Sequence, residues 1–292
     1  MPNKSTITHA LSFDIEDWFH MVEIDAVRDP ASWDRLPSLV ERYTDQILTT
    51  LSSCSTKATF FILGWIADRH PQLVQRIADQ GHELGTHSFW HRRVDRLTAK
   101  EFTTDLRDSI TAIEQAGGQK ILGFRAPSFS IVPGAEWAFD VILEAGLKYD
   151  ASLFPARRGH GGYPCQQQSH IITTPAGGQL PELPMSIMRF CGRRLPFSGG
   201  GYLRLLPLWL IKSGFRQFER QNIPAVVYLH PRDFAADCTR VPMPLHRRFK
   251  CYVGMHTTQT KLEQLVAAYR FGTCAEVLRS RVAAHLATPD AL

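Results

Sequence analysis

The chain has no uninterrupted apolar run approaching the roughly 18 residues a membrane-spanning helix needs, so no transmembrane helix is expected. Its first twenty residues, MPNKSTITHALSFDIEDWFH, lack the long apolar core of a secretory signal. The six cysteines, Cys54, Cys165, Cys191, Cys238, Cys251 and Cys274, form no CxxC pair and no framework spacing. A reducing compartment, and so a cytoplasmic location, is the expectation. No run of basic residues is interleaved with aromatics, and the net charge of +5 is spread along the chain. Nucleic acid is therefore not an expected partner. There is no GxSxG elbow and no GxxxxGK(S/T) phosphate loop. The glycine-rich SGGGY at 198–202 lacks the GxGxxG pattern of dinucleotide sites.

What is present describes a folded chain. The 292 residues are 44% apolar and 21% charged, close to globular averages. HALSFDIED (9–17) reads as a buried strand whose end turns acidic, and KATFFILG (57–64) as a second strand stopped by Gly64. PQLVQRIADQG (71–81) is a helix with Pro71 at its first position and an apolar stripe of Leu73, Val74, Ile77 and Ala78. HELGTHS (82–88) fits a short strand. Thr98 and Glu101 have capping-box spacing for a helix that ends at Gly117-Gly118. ILGFRAPSFS (121–130) is a strand and loop, and EWAFDVILEAG (136–146) a helix. Residues 155–181, rich in Gly, Pro and Gln, read as a long loop. PAVVYLHPRDF (224–234) is the last clear strand, and TKLEQLVAAYRF (260–271) a helix. LRLLPLWLI (203–211) is either a buried helix start or an exposed, membrane-touching surface. Strands alternating with helices indicate an α/β fold with parallel strands.

In parallel barrels the reactive residues gather at the C-terminal strand ends. The acidic cluster, GTHSFWHRRV (85–94), Arg125 and His230 all fall at such ends. His87 and His91 are four apart, the spacing of one face of a helix or helical turn, and could grip one cation with a third ligand from elsewhere. Asp14, Glu16 and Asp17 supply candidates, since three clustered carboxylates are costly to bury without a cation or donors. A spare carboxylate beside such a metal suits a general base. His230 is a candidate acid, Arg125 a group to hold the base, and Asp150 a second member of that supporting network. His82 reads as structural.

These residues resemble the polysaccharide deacetylase family, the NodB-homology or carbohydrate esterase 4 group, over most of 8–235. SFDIED looks like its first motif, HSFWH fits its HSxxH motif, RAPSFS is similar to the third, and YLHP to the last, whose histidine is the catalytic acid. A closer likeness is to the subgroup associated with exopolysaccharide and PEP-CTERM/exosortase loci, carried by FDIEDWFH, DASLFPARRG, ELPMS, LPFSGGGYLRLLP and RRFKCYVGMHTTQTKLEQL. The resemblance implies a distorted (β/α) barrel of about seven parallel strands, here residues 1–235, with residues 236–292 a C-terminal extension packed on it. It also implies one divalent metal, most consistent with Zn2+. Asp14 matches the base by position. The metal carboxylate is Glu16, which shares the strand face of Asp14, or Asp17, whose shorter side chain is usual at this site; the reading leans to Asp17.

The expected activity is metal-dependent removal of N-acetyl groups from sugars of an exopolysaccharide or its lipid-linked precursor. Trp18, Phe19, Phe129 and Leu183 are candidates to stack on the sugar. The expected partner is an N-acetylated glycan or lipid-linked oligosaccharide, with peripheral membrane contact. Two rivals stand beside this reading: an amidase of the same fold acting on a cyclic imide or allantoin-like substrate, and a catalytically silent sugar-binding assembly subunit.

Overall fold

The computed structural model describes residues 7–21, 24–156 and 161–286, with side chains through residue 281. Residues 1–6 of the N-terminal stretch and 157–159 of DASLFPARRG lie outside the described residues. The chain opens with β1 (Thr8–Ile15), α1 (Val40–Ser53), β2 (Thr59–Ile62), α2 (Gly64–Arg69), α3 (Pro71–Asp79) and β3 (Glu83–Thr86). It continues with α4 (Ala99–Gly117), β4 (Gly123–Phe124), α5 (Trp137–Glu144) and β5 (Tyr149–Asp150). Two hairpins follow, β6 (His170–Thr173) with β7 (Gln179–Glu182), and β8 (Ile187–Phe190) with β9 (Arg193–Pro196). Then come α6 (Gly200–Leu205), α7 (Leu208–Arg220), β10 (Val226–Leu229) and α8 (Pro231–Phe234). The C-terminal part holds α9 (Leu245–Tyr252), α10 (Thr258–Ala268), β11 (Arg270–Gly272) and α11 (Cys274–Leu286).

The sheet runs β10-β1-β2-β3-β4-β5-β7-β6, with β11 also pairing β1. All these pairings are parallel except β6 with β7, so the fold is the expected α/β type with a mostly parallel sheet. Strand parity divides its two faces. Leu11, Phe13 and Ile15 of β1, with Phe60 and Ile62 of β2, pack outward against the helices. Ala10, Phe61, Tyr149, Leu183, Val226 and Tyr228 form a second cluster on the inner side. Phe129, just after β4, meets Tyr228 of the edge strand β10 with ring centroids 4.9 Å apart, so residues four strands apart in the sheet order touch and the sheet curls. Each large apolar side chain buried this way contributes about 1.5–3 kcal/mol.

Local signals produced the expected helices. Glu101 N–H donates to Thr98 Oγ1 at 3.3 Å, and Thr98 N–H to Glu101 Oε2 at 2.8 Å, so the capping box at α4 is formed. Gly118 closes that helix with φ +64°, a region open to glycine. The long loop expected at 155–181 is corrected in part. Its second half forms the β6–β7 hairpin, because β7 finds a parallel partner in β5 through Asp150 and Glu182. That pairing is tertiary and leaves no local signal. LRLLPLWLI divides: Leu203, Leu210 and Ile211 are buried, while Leu205 and Trp209 stay exposed. β11 joins the same sheet as the N-terminal strand.

Candidate active site

Asp14 ends β1 on the inner face and is buried. Its Oδ1 accepts from Arg125 Nη1 at 2.7 Å. The same nitrogen donates to Ser12 Oγ at 2.8 Å, and Arg125 Nε to the Ala151 carbonyl at 3.2 Å. Arg125 is fully buried and lies 4.2 Å over the Phe61 ring. Burial by itself would lower the guanidinium pKa, but the Asp14 charge outweighs it and holds it above its ordinary value. The pair is thus a buried ion pair with added hydrogen bonds, the arrangement in which such pairs persist.

Just past the strand, the Glu16 carboxylate turns to the histidine loop. Glu16, His87 and His91 each place one donor atom within 4.8 Å of the others. Glu16 Oε2 lies 2.8 Å from His91 Nε2. Burial opposes ionisation of Glu16, yet His91 beside it holds the carboxyl well below its usual range. His87 Nδ1–H donates to the Arg125 carbonyl at 2.7 Å, which leaves Nε2 with a free lone pair. Burial pushes His87 down to about 4, so the neutral ligand form is favoured. Fixing a histidine tautomer through its outer nitrogen is how proteins prepare metal ligands. Two buried atoms of the cluster, Glu16 Oε2 and His91 Nδ1, find no well-formed hydrogen bond. A buried carboxylate and two imidazoles, gathered within 4.8 Å and with Glu16 Oε2 and His91 Nδ1 lacking a hydrogen bond, form a donor set that fits one divalent cation of the zinc type and leaves coordination positions open.

The histidine pair does not sit on a helix. It spans an irregular turn after β3, with Ser88 at φ +67° and His91 at φ +53°. The turn is held from outside. Phe89 N–H donates to Asp105 Oδ2 at 2.6 Å, Gly64 N–H to the Ser88 carbonyl at 2.9 Å, and His91 N–H to Ser88 Oγ at 3.2 Å. Left-handed φ at two non-glycine residues is a strain that such bonds must hold.

His230 faces this cluster from the end of β10. Its Nε2 lies 3.7 Å from Asp14 Oδ2 and 3.8 Å from Glu16 Oε1. Its Nδ1–H donates to Asp233 Oδ2 at 2.8 Å, and its backbone N–H to the same oxygen at 2.9 Å. Arg204 Nε stands 2.9 Å from the other oxygen of Asp233. Burial would lower the imidazole, but Asp233, with Glu16 and Asp14, raises it above its ordinary value. Asp233 itself, though burial works against it, is drawn down to about 2 by Arg204 and His230.

Several expectations are corrected. Asp17, favoured above as the metal carboxylate, turns away from the histidines. It accepts from Trp18 N, Ser38 Oγ, Leu39 N and Val40 N at 2.6–3.2 Å, and so caps the start of α1. Glu16 takes the place beside the histidines because the chain turns directly after β1. Asp150 touches neither Asp14 nor Arg125. Its Oδ1 accepts from Ser152 Oγ at 2.5 Å, whose oxygen accepts Ala126 N–H at 2.8 Å, so it steadies the segment after Arg125. Burial raises both Asp150 and Glu182, and the neighbouring Asp150 charge adds to the rise at Glu182. Trp18 lies in the outer core with Nε1–H bonded to the Pro37 carbonyl at 2.9 Å. Phe19 is in the same outer core, and Phe129 and Leu183 pack in the inner cluster. All four are buried, so none presents a face to a sugar. His82 accepts Ala58 N–H on Nδ1 at 3.3 Å, the structural role expected of it.

Sequence reasoning passed over other residues. Asp233 stands three residues after His230 and one after Arg232, at the acidic third position of a helix opened by Pro231; that capping pattern is a signal for it. Arg204 and Asp105 have no such local mark. Trp90, next to His91 in HSFWH, keeps part of its ring exposed while it packs on Phe89 and Trp33. His20 is buried among Phe19, Trp33 and Trp65, and its Nδ1 accepts Asp17 N–H at 2.8 Å.

Comparison with known proteins agrees with this geometry. Residues 31–139 match the family described as polysaccharide deacetylase, and residues 151–279 a domain of unknown function, DUF3473. A Bacillus cereus peptidoglycan-N-acetylglucosamine deacetylase is 32% identical over 107 residues, which are 37% of this chain and 35% of that protein. The Bacillus subtilis peptidoglycan-N-acetylmuramic acid deacetylase PdaC is 34% identical over 84 residues, 29% of this chain and 18% of that protein. The matched stretch therefore spans well under half the length of these relatives. Among solved structures, a Mycobacterium smegmatis protein assigned to the polysaccharide deacetylases superposes with TM-score 0.66 at 20% identity, covering 100% of this chain and 95% of the other. The PuuE allantoinase superposes with TM-score 0.62 at 14% identity, covering 99% and 94%. Both likenesses are likenesses of fold, and of a barrel-type one. The histidine turn and Arg125 both lie inside the matched 31–139, so that stretch of the chain is a polysaccharide deacetylase domain.

Proposed function

We propose that this protein removes N-acetyl groups from sugars of a glycan, hydrolysing the amide to acetate and a free amine. The observation that carries the reading is the convergence on one buried point of three groups: the Glu16–His87–His91 cluster, the Asp14–Arg125 pair and the His230–Asp233 pair. Glu16, His87 and His91 would hold one divalent ion, zinc by their donor types, which when bound supplies Lewis acidity toward water and the acetyl carbonyl. Asp14 takes the proton of the attacking water on the oxygen not bonded to Arg125. Arg125 holds that carboxylate in place through its Nη1 bond to Oδ1. His230 Nε2 gives a proton to the departing nitrogen as the carbon–nitrogen bond breaks, while Asp233 fixes the ring through Nδ1. A base and an acid on opposite groups of one site are what amide hydrolysis requires.

The substrate class follows from two supports. The relatives named above act on N-acetylated sugars of peptidoglycan. The motifs at 150–159, 195–207 and 247–265 resemble the exopolysaccharide-associated subgroup, which points to an exopolysaccharide or its lipid-linked precursor. A cytoplasmic site of action agrees with six cysteines that are all free thiols. The test is acetate release from chitooligosaccharides, peptidoglycan and N-acetylated exopolysaccharide fragments, with protein stripped of metal and then resupplied with zinc. Release that needs the metal supports the reading. Full metal loading without acetate from any N-acetylated glycan would overturn it.

A further inference from the structure

We propose that the face built by α6, the start of α7 and α9 docks on an anionic lipid bilayer. This is independent of the deacetylation reading, because binding is read without turnover. Leu245 and Phe249 stand four apart on one side of α9 and are 81% and 57% exposed. No residue of that helix is buried, so it lies on the surface. Tyr202 and Leu205 of α6 are exposed as well, and Trp209, at the start of α7, is 63% exposed. Scattered exposed apolar residues are ordinary, but large ones gathered on adjoining helices mark an interaction surface.

The helices that carry them are firmly joined. Arg204 donates from Nη1 to the carbonyls of Cys251 and Val253 at 3.0 and 2.9 Å, and from Nη2 to that of Lys250 at 3.1 Å. Lys261 Nζ donates to the carbonyls of Leu203, Arg204 and Leu206 at 2.7–2.9 Å. The apolar side chains therefore project from a fixed platform.

Charge selects the partner. From residue 183 to 218 and from 238 to 262 the chain has no Asp or Glu, yet carries exposed Arg240, Arg248 and Lys250 and half-buried Lys212 and Arg247. Arg248 and Lys250 are exposed on α9 itself, between and beside Leu245 and Phe249. A surface helix with bulky apolar residues among basic ones and no acidic neighbours in sequence suits the interface of a negatively charged membrane. The platform adjoins the site: a Cβ at Gly200, the first residue of α6, would stand 3.6 Å from His230 Cε1. Docking through this face holds the catalytic mouth close to the lipid surface.

The experiment is co-sedimentation of the full chain with vesicles of phosphatidylcholine alone and of phosphatidylcholine mixed with phosphatidylglycerol, at low and high salt. Binding to the anionic vesicles that weakens with salt is expected. Arg248→Gln with Lys250→Gln should lower partitioning about twenty-fivefold, at roughly fivefold per charge. Leu245→Ser with Phe249→Ser should reduce it at least as much, with unchanged thermal melting and unchanged acetate release from a soluble substrate. No binding to anionic vesicles, or equal binding by both variants, would overturn the proposal. A dimer of the parent chain that the Leu245→Ser, Phe249→Ser variant dissolves, without vesicle binding, would assign the face to a second copy instead.

Discussion

Asp233 holds His230 by two bonds to one carboxylate oxygen, the ring Nδ1–H at 2.8 Å and the backbone N–H at 2.9 Å. The second oxygen of Asp233 faces Arg204 at 2.9 Å. The ring can therefore point only its Nε2 at Asp14 and Glu16. Because Asp233 helps raise the imidazole pKa, the proton stays on His230 to higher pH than on a free histidine. Asp233→Asn should move the alkaline limb of turnover to lower pH, with a loss of about tenfold per pH unit of that movement when measured above both limbs. An activated ester, whose leaving group needs no proton, should be affected far less. Equal losses on amide and ester would show that Asp233 serves only the fold.

The two neighbouring carboxylates are separable by metal analysis. Glu16→Gln should strip the bound ion, while Asp17→Asn should keep it. Asp17 instead caps α1 through Ser38, Leu39 and Val40, so its loss should cost about 1–2 kcal/mol in denaturant unfolding. Metal retained by the Glu16 variant and lost by the Asp17 variant would reverse the assignment.

Asp14→Asn should keep the ion yet lose turnover, since amide nitrogen and oxygen cannot take the proton. It also leaves Arg125 buried without its anion, a change of about 3–5 kcal/mol. Assays belong at low temperature, with circular dichroism confirming the fold. Turnover near the parent value in a folded Asp14→Asn protein would exclude Asp14 as the base.

Trp90→Ala removes the partly exposed ring next to His91 in sequence. A loss of stacking worth about 1 kcal/mol predicts a roughly fivefold rise in KM with kcat little changed. A fall in kcat at constant KM would mean that Trp90 supports the histidine turn rather than the sugar.

Acid should weaken the fold partly through His82. Burial lowers this imidazole to about 4, and neutral Nδ1 accepts Ala58 N–H. The unfolded chain binds the proton from about pH 6.5 downward, whereas the folded chain resists it to about 4. Its contribution is complete above about 6.5 and is lost as pH falls from there toward 4. His82→Gln should flatten the stability slope in that window by about 1.4 kcal/mol per pH unit. An unchanged slope would show His82 to be indifferent to protonation.

Much of this was legible along the chain. The alternation of Leu11, Phe13 and Ile15 against Ala10, Ser12 and Asp14 marks the two faces of β1, because side chains alternate on a strand. Pro71, the Thr98–Glu101 box and Gly118 mark helix ends, because the groups that satisfy a helix terminus lie within one turn. His87, His91, Arg125 and His230 were recognisable because each ends or follows a strand of a parallel sheet. Tertiary structure decided the rest. The choice of Glu16 over Asp17 depends on the approach of residues 38–40, twenty-odd positions away. The shape of the histidine turn depends on Asp105 from α4, and the hairpin at 170–182 on β5. Arg204 meets Asp233 only once α6 is packed against α8 and α9. Periodicity and caps are local quantities carried by adjacent residues. Which carboxylate is consumed as a cap and which is left free is settled by partners that only folding brings near.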